Sequence, residues 1–272
     1  MVRQAAVAGQ FYSSRGPSLR AEVERCFLSP IGPGKLPPHP HDGPRKIVGA
    51  MVPHAGLVYS GPVAAHAYCA IAKDGLPEVF VVIGPNHHGV GKGVATTDED
   101  FDTPMGRVKV DKEMVSKLKG VVELDRSAHV YEHSIEVQLP FLQYLDPNIG
   151  FVPIAMAFQD YDTAAEVAKS VRKAAEGRDV MILASSDMSH YVTPHQAKVD
   201  DTKVLDKVLN LDAKGVYDAV RKYDVSMCGY GPTMAMILAS EGKSAKLLKY
   251  ANSGDVQAMD RVVAYASVAV YR

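Results

Sequence analysis

Imidazole and carboxylate side chains follow three apolar runs of this sequence, at the points where each run ends. His54 follows the first run, His87 and His88 follow the second, and Asp187 and His190 follow the third. Such groups bind divalent metals and transfer protons near neutral pH. If the runs are parallel strands of one sheet, their carboxyl ends share an edge and these side chains meet in one crevice. The pattern predicts a metal site or an acid–base site.

The apolar runs themselves are typical of strands that are buried on both faces. Residues 46–52, 79–83 and 180–184 are continuous rather than alternating in apolar character, and polar or turn residues follow each of them. An alanine-rich helix predicted over residues 62–73 joins the first two strands, and such a βαβ unit implies a parallel pair. Because there is no internal repeat and no clear linker, we predict a single α/β domain over residues 1–272, with helices flanking a mostly parallel central sheet.

The rest of the chain alternates helical and strand patterns. Ser18 is expected to cap the first helix, and Pro140 must lie near the first turn of its helix or kink it. A hairpin-like excursion is predicted over residues 93–110. Further helices are predicted at residues 17–28, 112–119, 163–175, 196–210, 213–222 and 227–239 and around Leu142, and further strands at 121–124, 151–156, 247–250 and 262–271.

Cys228 and His133 are further candidates for the site. Cys228 lies in a glycine-rich turn at the start of a predicted helix, where the helix dipole favours a thiolate, so it is a nucleophile, a metal ligand or a buried thiol. Cys26 and Cys69 lie on apolar helical patterns and are predicted to be inert core residues. Glu132 and His133 precede a helix, as a capping or hydrogen-bonding pair or as part of the site.

Composition excludes several classes of function. The formal net charge of the 272 residues is −1 and there is no long basic block, so we expect neither a nucleic-acid partner nor a membrane surface. Three cysteines are too few for a disulfide framework, and no signal peptide or transmembrane run is found, so a cytoplasmic location is expected. There is no serine-hydrolase elbow and no phosphate-binding or dinucleotide-binding glycine pattern. His39 and His41, in a proline-rich connection, are expected to be solvated.

Six short segments lie in order along almost the whole chain: Ala-Gly-Gln-Phe-Tyr at 8–12, Val-Pro-His-Ala-Gly at 52–56, Gly-Pro-Asn-His-His-Gly at 84–89, Glu-His-Ser-Ile-Glu at 132–136, Ser-Ser-Asp-Met-Ser-His at 185–190 and Cys-Gly-Tyr-Gly-Pro at 228–232. Together they are highly specific, and they resemble the Memo family. Several prokaryotic members of this kind are named as the B component of the AmmeMemoRadiSam system.

The resemblance implies a fold related to the class III, LigB-type extradiol dioxygenases, in which two histidines and a glutamate bind non-haem iron. His54 and His87 fall on the histidine positions, and Cys228 falls where those enzymes have the carboxylate. A thiolate makes the site softer, which favours copper, zinc or an unusual iron centre over ordinary ring cleavage. Asp187 and His190 fall beside the metal site, as supports of the ligands, as acid–base groups or as further ligands, and His88 is expected to orient or support the site.

Three functional hypotheses follow. The first is a metal-binding and redox-active enzyme with His54, His87 and Cys228 as ligands, His190 moving a proton, and Asp187 and His133 beside them. The second is a binding or adaptor protein with a vestigial cleft, because eukaryotic relatives are linked to cell motility and receptor signalling. The third is a cysteine-dependent enzyme that uses Cys228. The partners expected are an unknown small molecule or peptide and a radical-SAM enzyme, whose Cys-x₃-Cys-x₂-Cys cluster motif this chain lacks.

Overall fold

The fold is given by a computed structural model that describes residues 2–39 and 43–272. In this part of the chain, eight α-helices flank a 12-stranded sheet, which confirms the predicted α/β class. No helix within the described ranges is long and apolar enough to cross a membrane. His39 is exposed, as predicted for the proline-rich connection, whereas the prediction for His41 falls outside the described residues.

The strands are β1 (Val2–Arg3), β2 (Ile47–Val52), β3 (Val79–Pro85), β4 (Val94–Thr96), β5 (Asp100–Thr103), β6 (Gly106–Val110), β7 (Glu123–Leu124), β8 (Gly150–Met156), β9 (Val180–Ser185), β10 (His190–Val192), β11 (Ser244–Asn252) and β12 (Val262–Tyr271). The helices are α1 (Gly16–Leu28), α2 (Leu57–Asp74), α3 (Lys112–Lys117), α4 (Leu139–Leu145), α5 (Tyr161–Ala174), α6 (Pro194–Leu209), α7 (Ala213–Tyr223) and α8 (Tyr230–Ser240).

Five parallel strands form the centre of the sheet, in the order β6-β8-β3-β9-β2. Next to β2 the sheet turns antiparallel, with β12 and then the edge strand β11. The predicted parallel relation of β2 and β3 holds, but the two strands are not neighbours, because β9 lies between them. The carboxyl ends of β2, β3 and β9 therefore meet at one edge of the sheet.

Burial explains why the central strands are continuously apolar. Every residue of β2 and of β3 is buried, as expected when helices cover both faces of a parallel sheet. Gly49, within β2, illustrates how closely the layers pack, since a Cβ atom at this position would lie 2.8 Å from the sulfur of Met236 on α8. The sheet is thus a rigid platform for the loops that leave its carboxyl edge.

Several local predictions need correction. α1 begins at Gly16 after the uncapped residue Arg15, so Ser18 is not its N-cap, and Pro17 supplies the preset first turn instead. α2 begins five residues earlier than predicted, so Pro62 lies inside the helix, where proline removes one i→i−4 hydrogen bond. Pro140 lies in the first turn of α4, as required. The predicted excursion contains the antiparallel pair β5–β6.

His129 is a buried histidine outside the predicted site. Its side-chain Nε2 has no hydrogen-bond partner among the described residues. Burial, together with the nearby charge of Arg3, lowers the pKa of His129 to about 4. Between about pH 6.5 and pH 4 the ring is therefore neutral in the folded chain, whereas it is protonated in the unfolded chain.

Replacing His129 by asparagine is expected to flatten the acid side of the stability profile. The unfolded chain takes up this proton near pH 6.5 and the folded chain only near pH 4, so stability falls as the pH drops through that window. Across this window the linkage lowers the free energy of unfolding of the wild-type chain by about 3 kcal/mol, and the variant should not show this loss. Urea denaturation of both proteins across this range measures it. His195→Asn, an exposed position on α6, is the control, and an equally steep fall in His129→Asn would contradict the argument.

Candidate metal centre

His54 is positioned by the turn that ends β2, and its side chain is 1 % exposed. Its backbone N–H donates to Oδ1 of Asp187 at 2.8 Å. On the ring, Nδ1 lies 2.8 Å from the hydroxyl of Ser185, and Nε2 lies 3.3 Å from Sγ of Cys228. Burial, and the charges of the neighbouring histidines, hold the pKa of His54 well below its usual value, so the ring is neutral and can act as a metal ligand.

Cys228 lies in the turn just before α8, facing His54. The backbone N–H of Asp187 donates to its sulfur at 3.3 Å, and the side-chain amide of Gln159 donates to its carbonyl at 2.9 Å. Burial, and the charge of Asp187, raise the pKa of the Cys228 thiol. The predicted helix-dipole stabilisation of a free thiolate is therefore outweighed, and a thiolate here needs a bound cation beside it.

His87 leaves the carboxyl end of β3 and is held by Glu132. Its backbone N–H donates to Oε2 of Glu132 at 2.6 Å, and its Nδ1 donates to Oε1 at 2.9 Å. Burial alone would raise the pKa of Glu132, but the hydrogen bond from His87 and the charges of His87 and His133 hold it well below its usual range. A histidine that donates one N–H to a carboxylate presents its other nitrogen as a basic ligand.

The three predicted ligands converge. One ligand atom from each of His54, His87 and Cys228 lies within 4.8 Å of the other two. Bond lengths of about 2.0–2.3 Å around a tetrahedral ion place two donor atoms about 3.5 Å apart, close to the 3.3 Å between His54 Nε2 and Cys228 Sγ. This donor set of two imidazoles and a thiol fits a transition metal such as zinc, copper or iron.

A second group with metal-ligand spacing consists of His87, Glu132 and His133. Its carboxylate is already engaged, because Glu132 accepts the backbone N–H groups of His133 and Ser134 as well as both bonds from His87. His87 Nδ1 is likewise used as a donor to that carboxylate. The hydrogen bonds of this group therefore orient His87, and the group with Cys228 is the candidate centre.

His133 lies beside the two ligand histidines. Its ring stacks on His87 with centroids 4.5 Å apart, and lies 5.4 Å from His54 and 4.6 Å from Phe11. Burial lowers the pKa of His133 to about 4, with the charge of His87 acting in the same direction. The predicted site member is therefore a neutral ring that forms part of the wall of the centre.

His190 and Asp187 come from the segment after β9. The backbone N–H of His190 donates to Oγ of Ser226 at 2.8 Å, and its Nδ1 donates to the Ser226 carbonyl at 2.7 Å. Because that carbonyl can only accept, Nε2 of the neutral ring is left as an acceptor. Asp187 is 4 % exposed, and burial raises the pKa of its carboxyl. His88, in contrast, is exposed, with its ring edge-on to Tyr131 at 6.2 Å.

Four polar residues near the centre carried no functional signal in the sequence; three support its side chains and the fourth holds the N-terminal arm. Ser185 contacts His54, and Gln138 contacts Ser185 through its side-chain amide at 2.8 Å. Ser226 holds His190. Glu136 binds the chain near the N-terminus through its carboxylate, which accepts from the backbone of Ala6 at 2.8 Å. Only Ser185 and Glu136 lie in segments that had been singled out, and neither was predicted to orient a ligand.

Comparison with known proteins identifies the family of this chain and supports its fold. The family model described as Memo-like protein matches residues 3–269. The MEMO1 family protein of Methanopyrus kandleri is 46% identical over 100% of both chains, and that of Ignicoccus hospitalis is 46% identical over 98% of both. The MEMO1 family protein of Methanothermobacter thermautotrophicus is 42% identical over 98% of this chain and 99% of its own.

A solved structure gives independent support for the fold. The crystal structure of an uncharacterized protein from Escherichia coli K12 superposes with a TM-score of 0.54, covering 83% of this chain and 100% of that one. At 16% identity this likeness concerns the fold alone. Full-length matches to archaeal relatives, and a family model that spans nearly every residue, show that this chain belongs to the Memo family.

Proposed function

We propose that this protein is a metal-dependent redox enzyme, in which His54, His87 and Cys228 bind a divalent or redox-active ion. The observation that carries the proposal is the convergence of one donor atom from each of these side chains within 4.8 Å. Two of the donors have a fixed outer contact, Ser185 for His54 and Glu132 for His87. Such outer contacts are characteristic of sites that bind transition metals.

The thiol of Cys228 determines which metal ions the proposed site favours. Thiolate ligands select copper, zinc and iron over hard ions such as magnesium, and they lower the Lewis acidity of the ion compared with a carboxylate. Ordinary extradiol ring cleavage uses a carboxylate at the position of Cys228, so we do not assign that reaction here. We assign iron or copper as the redox ions, with zinc as the redox-inactive alternative.

The surrounding side chains would bind and orient a small molecule and move its proton. Nε2 of His190 is free to accept a proton, because Nδ1 is committed to the Ser226 carbonyl at 2.7 Å. The neutral ring of His133 offers a flat, water-poor surface on one side. When bound, the ion would supply Lewis acidity and electron transfer at the substrate.

Anaerobic reconstitution tests the proposal. The purified chain is incubated separately with Fe(II), Cu(I) and Zn(II), desalted without oxygen, and analysed for bound metal. We expect about one equivalent of at least one ion, retained against a weak chelator. Retention of none of the three would overturn the metal assignment. Oxygen uptake by the iron and copper forms, screened against catechols and other small molecules, then tests the redox assignment.

A second candidate function, partner binding at the same cleft, has one specific observation in its favour. Three aromatic side chains around this edge of the sheet are 64%, 64% and 70% exposed: Tyr131 and Phe158 on loops, and Tyr191 on the short strand β10. Exposed aromatic groups are typical of binding surfaces. The expected radical-SAM partner, or a peptide, would contact this rim. The test is a triple variant with Tyr131→Ser, Phe158→Ser and Tyr191→Ser. If this variant no longer binds the purified partner and its metal content is unchanged, partner binding at this rim is favoured.

A further inference from the structure

We propose that Gln138 and Ser185 are positioning residues that fix the tautomer of His54, so that its Nε2 carries the lone pair directed at the metal centre. The inference rests on the proposed metal function for its purpose, but its geometry concerns the metal-free chain. The tautomer can be assigned because each donor and acceptor in this buried network has a defined partner.

The orientation of the Gln138 amide is set by its two outer contacts. The carbonyl of Pro53 can only accept, and it lies 2.9 Å from one end of the amide, which must therefore be Nε2. The other end, Oε1, accepts from the hydroxyl of Tyr68 at 2.7 Å. The reverse orientation would bring two carbonyl oxygens together. Gln138 consequently has one further N–H available, and Ser185 lies 2.8 Å from it.

The hydroxyl of Ser185 has three neighbours and a single proton. The backbone carbonyl of Ser134, which can only accept, lies 2.6 Å from Oγ and takes that proton. Gln138 donates to one of the two remaining lone pairs. The third neighbour is Nδ1 of His54 at 2.8 Å, and it can complete the network only as a donor. His54 therefore carries its proton on Nδ1.

Bulk solvent does not reach this network. The side chains of Tyr68, Gln138 and Ser185 are fully buried and His54 is 1 % exposed. In a buried network, a lone pair that faces another lone pair costs free energy that solvent does not recover. With Nδ1 protonated, Nε2 is unprotonated and lies 3.3 Å from Cys228 Sγ, on the side of the ring where the other ligands converge.

The two ligand histidines therefore have chemically different supports. His87 donates to the carboxylate of Glu132, which increases the basicity of the ring, whereas His54 donates to a neutral hydroxyl. Ser185 acts on the geometry and tautomer of His54 without adding charge. Loss of its hydroxyl would leave both tautomers of His54 accessible, and one of them cannot bind a metal through Nε2.

Nitrogen NMR of the metal-free protein tests the tautomer directly. Long-range proton–nitrogen correlations on protein labelled with ¹⁵N-histidine distinguish a protonated from an unprotonated ring nitrogen, and His54→Gln assigns the signals. In the wild-type chain we expect a single tautomer with Nδ1 protonated and Nε2 bare. A wild-type ring protonated on Nε2, or a mixture of both tautomers, would overturn the proposal even if the metal site is real.

Three substitutions test the assigned role of Ser185. Ser185→Ala should shift the His54 signals toward a mixture of tautomers and weaken Zn²⁺ binding by about 10–100-fold. Ser185→Thr keeps the hydroxyl and should restore the wild-type tautomer and most of the affinity. Ser267→Ala is the matched control, because Ser267 is also a fully buried strand serine, but its hydroxyl donates to the Val63 carbonyl at 2.7 Å.

The outcomes separate this inference from the metal assignment. Wild-type protein that has the predicted tautomer but retains none of Fe(II), Cu(I) and Zn(II) would remove the proposed function and leave the positioning role intact. Wild-type protein that binds Zn²⁺, together with Ser185→Ala protein that keeps one tautomer and the same affinity, would remove the positioning role and leave the metal site intact.

Discussion

Replacing Cys228 by alanine is expected to abolish stoichiometric metal binding, because it removes the only thiol among the ligand atoms that converge on the centre. Loss of an outer contact weakens metal sites by about 10–100-fold, and loss of a ligand should exceed that range. His54→Ala should have a similar effect. Elemental analysis after anaerobic reconstitution, and competition with a chelator of known affinity, measure both.

Cys69→Ala is the matched control for the loss of a thiol. Cys69 lies on α2, is half-buried, and contributes to neither group of residues with metal-ligand spacing. Its replacement should leave metal content unchanged. If Cys228→Ala retained a full equivalent of metal with wild-type affinity, the thiol would not be a ligand, and the group formed by His87, Glu132 and His133 would become the candidate centre.

Cys228→Asp tests whether the type of ligand at this position determines which metal ion binds. A carboxylate at this position recreates a site of two histidines and one carboxylate, the set used by non-haem iron enzymes. We expect this variant to bind Fe(II) in preference to Cu(I), and the wild-type chain to show the opposite order. An unchanged preference between the two ions would indicate that the histidines alone determine selectivity.

The convergence of these side chains could be predicted from the sequence because strand ends can be recognised locally. A continuous apolar run that stops at proline or polar residues indicates a buried parallel strand, and parallel strands bring their carboxyl ends to one edge. His54, His87 and Asp187 each follow such a run, and the structure brings them to the same edge of the sheet. The family resemblance was needed to select His87 over His88 and to add Cys228 as a ligand.

The contacts that orient these side chains were not predictable in the same way. Glu132 is 45 positions from His87, and Ser226 is 36 positions from His190, and neither pair follows a periodic pattern. The order of the strands could not be predicted either, because β9 comes late in the chain but lies between β2 and β3 in the sheet. Two short strands, β1 and β10, have too few residues to produce an alternating or apolar signal.

Replacing Glu136 by alanine is expected to produce the largest loss of stability among single substitutions near the centre. Glu136 is fully buried, and its carboxylate pairs with Arg3, which is 4 % exposed. It also accepts from the backbone of Ala6 at 2.8 Å and of Val7 at 3.1 Å, and from the hydroxyl of Tyr12. One carboxylate thus fixes the arm formed by residues 2–12.

The loss is expected to be large because the charge of Arg3 would stay buried without its partner. Arg3 also donates to the carbonyls of His129 at 2.7 Å and Glu132 at 2.6 Å, so it stays buried when Glu136 is removed. Removing one member of a buried pair costs about 3–5 kcal/mol, because the remaining charge is uncompensated. Urea denaturation at neutral pH should show this loss. Arg107→Met, which breaks the largely exposed pair of Arg107 and Asp102, should cost at most about 1 kcal/mol.

The double variant Arg3→Met with Glu136→Leu distinguishes a charge effect from a packing effect. If the penalty comes from the unpaired charge, removing both charges should recover part of the stability lost in either single variant. The arm should remain less well fixed, since Ala6, Val7 and Tyr12 still lose their acceptor. The ring of Phe11 packs at a tilt against His133, with centroids 4.6 Å apart, so a loosened arm should also expose the His133 ring to solvent. Additive losses, with no recovery in the double variant, would show that Arg3 and Glu136 contribute independently, and the charge argument would then be wrong.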